Sequence, residues 1–122
     1  MARSNKSARQ AGSRFEREVA DYLRDNLSQF IDRRVKNGSK DLGDIANVRD
    51  SYDNKIVIEV KNVTKMSLPQ WIKEAKVEAE NDGALCGVVV HKRHGNGKPG
   101  EQWVTLTLED LVLLLKGGEA VN

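Results

Sequence analysis

Asp44, Glu59 and Lys61 stand in the pattern D-(x)14-E-V-K, two acids and an amine whose chemistries complement one another. Two carboxylates brought to one point repel, and a divalent cation between them relieves the repulsion. Mg²⁺ takes a few carboxylates, backbone carbonyls and retained waters in octahedral array, so Asp44, Glu59 and the Val60 carbonyl form a candidate inner shell. Mn²⁺ would substitute. Such an ion polarises a phosphoryl oxygen and lowers the pKa of a bound water. Lys61 would position that water or stabilise charge on the pentacovalent phosphorus. Glu16 is the fourth candidate, to hold metal-bound water or a second ion. The chemistry that fits is phosphodiester hydrolysis. Taken alone, x-Glu-x-Lys at a strand end is also the pattern of an exposed salt-bridged pair, and Asp44 and Glu16 set this one apart.

These groups must be delivered by secondary structure. Apolar residues at Phe15, Val19, Tyr22, Leu23, Leu27 and Phe30 predict a helix over 13–30, capped by Ser13. At 100° per residue Glu16 falls within its apolar stripe, where an acid is costly unless paired or bound to a cation, whereas Glu18 falls on the wet side. Strands are predicted over 31–36, 44–49 and 55–61, the last two an antiparallel hairpin closed by SYDN. Alternation puts Ile56, Ile58 and Val60 on a face packed against a helix, and Glu59 and Lys61 together on the other, facing outward. Antiparallel pairing sets Asp44, at the start of one strand, beside Glu59 and Lys61, at the end of the next. A helix follows from Ser67 to Gly83, with Pro69 in its first turn. Strands over 84–91 and 102–106, the first of them central, and a helix over 108–116 complete the order αβββαββα. That order is an α/β fold: a mixed sheet of about five strands flanked by helices.

Size and charge bound the rest. The 122 residues suit one domain with one core. With 20 Lys+Arg against 18 Asp+Glu the chain is nearly balanced, so the distribution says more than the total. Residues 1–12 read as a flexible basic arm, residues 13–117 as a single domain and residues 118–122 as a frayed end. A lone cysteine, Cys86, excludes an intrachain disulfide and reads as a small apolar filler, and no His/Cys set suits structural zinc. His91 and His94 read as phosphate neighbours or surface residues rather than general bases. No apolar run approaches a membrane span and no signal peptide is visible, so a soluble, cytoplasmic protein is expected.

The pattern D44-(x)14-E59-V60-K61 resembles the PD-(D/E)XK nuclease superfamily, with Gly43 in place of the proline. It is most similar to archaeal-type Holliday-junction resolvases and their phage relatives. GSRFEREVADYL resembles their first helix, with Glu16 in the place of a catalytic Glu. NGSKDLGDI resembles their Gly-Ser loop and metal-binding Asp, matching Gly38, Ser39 and Asp44, and IEVK matches at 58–61. The resemblance covers about residues 12–62, and the rest agrees only in element order. It implies a restriction-endonuclease-like core and a metal-dependent, homodimeric endonuclease that cuts branched DNA, phage-encoded forms acting inside the host cell. By the same similarity Ser39 contacts the scissile strand from a mobile loop, against the plainer reading of an ordinary turn, and Gln70 lies near the metal, against that of an exposed polar residue.

Three basic clusters are candidate phosphate contacts: Arg9 and Arg14 on the N-terminal stretch; Arg33, Arg34, Lys36 and Lys40; and Lys92, Arg93 and Lys98. Each reads equally as solvated surface. Two symmetric cuts need two active sites, hence a two-fold dimer, and the apolar run in LEDLVLLLK is a candidate surface or simply core. Two other readings stay open: the same site acting on flaps, forks or linear duplex, and a branched-DNA-binding module without catalysis.

Overall fold

A computed structural model of the chain describes residues 4–36 and 38–118. Helix α1 runs from Asn5 to Asn26, capped by Ser4, whose Oγ accepts the Ser7 N–H at 3.1 Å. The cap therefore lies nine residues before the expected Ser13, and residues 5–12 form the first turns of the helix. Ser4 offers the same capping chemistry as Ser13, and only Gly12 interrupts the residues between them. Residues 1–3 of the expected arm and 119–122 of the expected frayed end lie outside the described residues. At the other end α1 stops before Leu27, and Leu27 and Phe30, expected on its apolar stripe, are exposed.

Strands β1 (Asp32–Arg33), β2 (Ile45–Ala46) and β3 (Ile56–Lys61) form an antiparallel set, with Arg33 opposite Ile45 and Ile45 opposite Ile58. The first two are shorter than predicted. Asn47 takes a left-handed backbone, φ 69°, which breaks β2 before pairing resumes at an isolated Arg49–Lys55 bridge. Helix α2 (Leu68–Asp82) ends as expected at Gly83, which adopts the left-handed conformation that glycine accepts without penalty. Strand β4 (Cys86–His91) lies parallel to β3, and β5 (Trp103–Thr105) antiparallel to β4 after a short 3₁₀ turn. Helix α3 (Leu108–Leu115) is capped by the Thr107 hydroxyl. The sheet order β1-β2-β3-β4-β5 is the predicted five-stranded mixed sheet with β4 in its interior.

Ile56, Ile58 and Val60 pack with Val88, Val90, Phe15, Val19 and Ala20 beneath α1, as alternation requires. The opposite face corrects the sequence reading. Glu59 is buried under α2, alongside a second apolar cluster of Trp71, Ala75 and Val89. Gly87 makes this possible: a Cβ there would lie 2.2 Å from the Ala75 carbonyl oxygen, so α2 rests directly on β4. A strand pair joined by a parallel crossover carries a helix on its face, and a polar alternation on β3 alone does not reveal that cover.

Candidate functional site

Asp44 closes the loop that enters β2, and three backbone contacts fix it. Its N–H donates to the Ile58 carbonyl at 3.0 Å, its carbonyl accepts the Arg34 N–H at 2.8 Å, and its Oδ2 accepts the Val60 N–H at 2.8 Å. A side chain clamped to the next strand's backbone has little freedom to turn away from Glu59. Glu59 faces Asp44 and Glu78 of α2. Lys61 Nζ lies 3.7 Å from Glu59 Oε2 and 3.2 Å from Glu74 Oε1. The antiparallel register thus joins Asp44, Glu59 and Lys61 at one end of β3. By strand alternation the Val60 carbonyl points to the same edge as that of Ile58, toward Asp44.

Glu16 approaches from the α1 side of the sheet. It is half-buried, and its Oε1 lies 3.3 Å from Arg33. Burial and then the charge of Asp44 raise its pKa against the pull of Arg33 and Lys36. Ser39 stands exposed in the loop before Asp44, where it lines a hollow of about 170 Å³ with Arg34, Lys36, Lys40 and Asp41.

Two further acids complete the cluster. Among the described residues, carboxylate oxygens of Asp41, Glu59 and Glu78 all lie within 4.8 Å of one another. Glu78 is 3% exposed, and its Oε1 is buried with no hydrogen-bond partner. Its signal was present in the sequence. Trp71, Ala75 and Ala79 form the buried stripe of α2, and Glu78 falls in it as Glu16 falls in the stripe of α1. Asp41 carries no such signal, because only the left-handed turn at Gly43, φ 93°, brings its loop under α2. A side chain at Gly43 would lie 2.7 Å from Val57 Cγ1. Gln70 is exposed at the rim of a 260 Å³ hollow that it lines with Asp41, Lys73, Glu74, Val77 and Glu78.

The electrostatics follow from this crowding. Burial, then Asp44, then Glu78 push the pKa of Glu59 well above the carboxylate range. Burial also raises Glu78, with the charges of Asp41 and Asp44 behind it. Burial alone would lower Lys61, but Glu59, Glu74 and Asp44 outweigh it and hold the ammonium above its ordinary pKa. The donors are all oxygens, one of them orphaned, which fits a hard divalent cation such as Mg²⁺ or Mn²⁺ and does not fit a thiolate-bound metal.

The basic residues divide into two groups. Arg33 is engaged by Glu16, and Arg34 by Asp82 at 3.3 Å. Lys92 Nζ turns inward to the carbonyls of Arg93 and Asn96. Arg93 stacks on Trp103. Lys36 lies 3.5 Å from Asp44 Oδ1 at the rim of the cluster. Lys40 and Lys98 are exposed, Lys98 lying 3.6 Å from Glu101. Arg9 and Arg14 line a shallow hollow on α1 with Lys6, Gln10 and Ser13. His91 is buried, its Nε2 2.7 Å from Thr105 Oγ1, while His94 is exposed and reaches the Val63 carbonyl at 3.0 Å. No helix among the described residues is long and apolar enough to cross a membrane.

Residues 7–116, about nine-tenths of the chain, match the model of a family described as "Phage putative PDDEXK endonuclease". No curated protein and no solved structure matches the chain.

Proposed function

The chain belongs to the phage PDDEXK endonuclease family, and from that premise we propose that it is a metal-dependent endonuclease cutting branched DNA, foremost four-way junctions. The observation that carries the reading is the meeting of Asp44, Glu59 and Lys61 at the end of β3, with Asp44 clamped by the Val60 N–H. Asp44, Glu59 and the Val60 carbonyl would hold Mg²⁺ or Mn²⁺, with Asp41 and Glu78 extending the shell on one side and Glu16 on the other. Bound there, the ion supplies Lewis-acid polarisation and an acidified water. Lys61, kept charged by Glu59 and Glu74, orients the attacking water or neutralises charge gathering on phosphorus. Ser39 and Lys40 sit on the loop that the scissile strand would cross. Lys36, Arg9, Arg14 and Lys98 are the exposed cations that would meet flanking phosphates. The place of action on this reading is the cytoplasm of the cell holding the DNA.

A two-fold dimer belongs to the same proposal, since one chain carries one such site. Helix α3 supports it. Leu108, Leu111, Val112 and Leu115 recur at i, i+3, i+4 and i+7 and are 76%, 38%, 37% and 73% exposed. Laid antiparallel on its copy, this stripe sets Leu108 beside the partner's Leu115 and Glu109 near the partner's Lys116, a self-complementary match.

The test is nicking of a synthetic four-way junction, a flap and a linear duplex of equal length, with and without Mg²⁺, mapped to the nucleotide. Paired symmetric nicks in the junction alone are expected. Equal cutting of all three moves the substrate to duplex, and absence of cutting with any divalent metal leaves a binding module.

A further inference from the structure

Three side chains stand in register across the end of the sheet. Lys61 of β3 lies opposite His91 of β4, and His91 opposite Trp103 of β5. Directly paired residues project to one face. His91 identifies the face: its ring centroid lies 5.7 Å from that of Trp71 on α2. Trp103 therefore shares a face and a sheet end with Lys61, two strand spacings or about 10 Å away. His91 and Trp71 are buried, but Trp103 is 53% exposed.

Arg93 accounts for one side of that ring. Its guanidinium carbon lies 4.2 Å from the ring centroid, and its Nη1 donates to the Glu101 carbonyl at 3.1 Å. Its backbone N–H is tied to Gln102 Oε1 at 2.6 Å, which fixes the stack to the loop. The result is a flat π-surface backed by a held cation, in a loop that also carries Lys98.

We propose that Trp103, backed by Arg93, is a stacking platform for a nucleobase freed where strands part at a branch. This deepens the nuclease reading and rests on it. Bases inside a duplex stack on one another and offer a protein only their edges, whereas an unpaired base offers a π-face that aromatic and guanidinium planes take up. A spacing of about 10 Å is about three stacked nucleotides at 3.4 Å each. A base on Trp103 would thus fix the branch a few nucleotides from the phosphate at Lys61. Trp103 is a recognition residue here, acting on where the strand lies rather than on the bond that breaks.

Binding of the full chain to a four-way junction and to an equal-length linear duplex, with Ca²⁺ in place of Mg²⁺, tests this in wild type, Trp103→Ala and Trp103→Phe. The preference for the junction should fall about tenfold in Trp103→Ala, the order that base–aromatic stacking supplies, and less than about threefold in Trp103→Phe. Junction binding should also quench wild-type tryptophan emission more than Trp103→Phe emission, because the remaining Trp71 is buried. An unchanged preference, or an equal loss on both DNAs, overturns the proposal. So does conversion of a dimer to a monomer by Trp103→Ala in size exclusion, which would make the ring a protein interface. A wild type that cuts no DNA refutes the nuclease reading instead; a wild type that cuts, with Trp103→Ala cutting at the same positions and preference, refutes only this one.

Discussion

Asp82 and Asp110 are acids held beneath the surface, and each has its cations. Asp82 lies 3.3 Å from Arg34 and 3.7 Å from Lys55, and Asp110 lies 3.2 Å from Lys76 in the first turn of α3. At the end of β3 the same fold does the opposite. Glu59 is packed against Asp44 and Glu78, and the amine nearest to it, Lys61, is shared with Glu74. Burying an acid without a full counter-charge raises its pKa and costs stability. The chain has the means to neutralise buried acids and leaves this group short of positive charge. On the proposed reading that shortfall is what a bound cation would make good, whereas the other two acids are already balanced.

Asp44→Ala should break the comparison most visibly: cleavage is expected to fall on the order of 10³-fold. Junction affinity by gel shift should stay within about threefold. An active variant would reduce the cluster to one more structural feature. Gly87→Ala comes next, at about 3 kcal/mol in urea denaturation, because a methyl 2.2 Å from the Ala75 carbonyl must displace the helix that carries Glu74 and Glu78. Mg²⁺ at a hundred times its Kd should stabilise the wild type by about 2.7 kcal/mol, read as a shift in melting, and Glu59→Gln by much less.

The two kinds of acid then separate directly. Asp82→Asn weakens the pairing of two cations with a partly buried carboxylate and should cost about 1–2 kcal/mol. Glu78→Gln in metal-free buffer should change stability by about 0.5 kcal/mol or less, because it removes an acid from a crowd of acids. Equal losses would erase the distinction.

The subtlest test is of pH dependence. Glu59 and Glu78 hold protons above the usual 4.5, so the native state binds more protons than the unfolded chain. Their contribution is full below 4.5 and declines as pH rises toward neutrality. Burial pushes His91 below its usual 6.5, which acts in the opposite sense: its contribution is full above 6.5 and is lost as pH falls through the lowered value. Glu78→Gln should flatten the first slope and His91→Gln the second, each by about 1 kcal/mol or less, in denaturation curves taken at stepped pH.

The strands and helices were legible because periodicity and caps are local. Ser67, Pro69 and Gly83 bound α2 to within a residue. Ser4 was missed because Ser13 stood nearer the apolar stripe, and the shortness of β2 because Asn47 gives no warning of a left-handed backbone. Asp44, Glu59 and Lys61 could be brought together on paper because a hairpin register follows from a short connection. Arg33 and Arg34 read as free cations, since charge in a sequence does not disclose its partner; Glu16 and Asp82 are 17 and 48 residues away.

What the sequence by itself determined is the meeting of Asp44 with Glu59 and Lys61 at one end of a hairpin, and the side of α1 that Glu16 takes. These depend on alternation and helical pitch, which act within a few residues. What the tertiary structure alone decided is that α2 closes over Glu59, that Asp41 and Glu78 join it from a loop and a helix, and that Trp103 falls in line with Lys61 two strands away. Those depend on a parallel crossover, on one left-handed turn at Gly43 and on a missing Cβ at Gly87, contacts between segments far apart in the chain that no local pattern encodes.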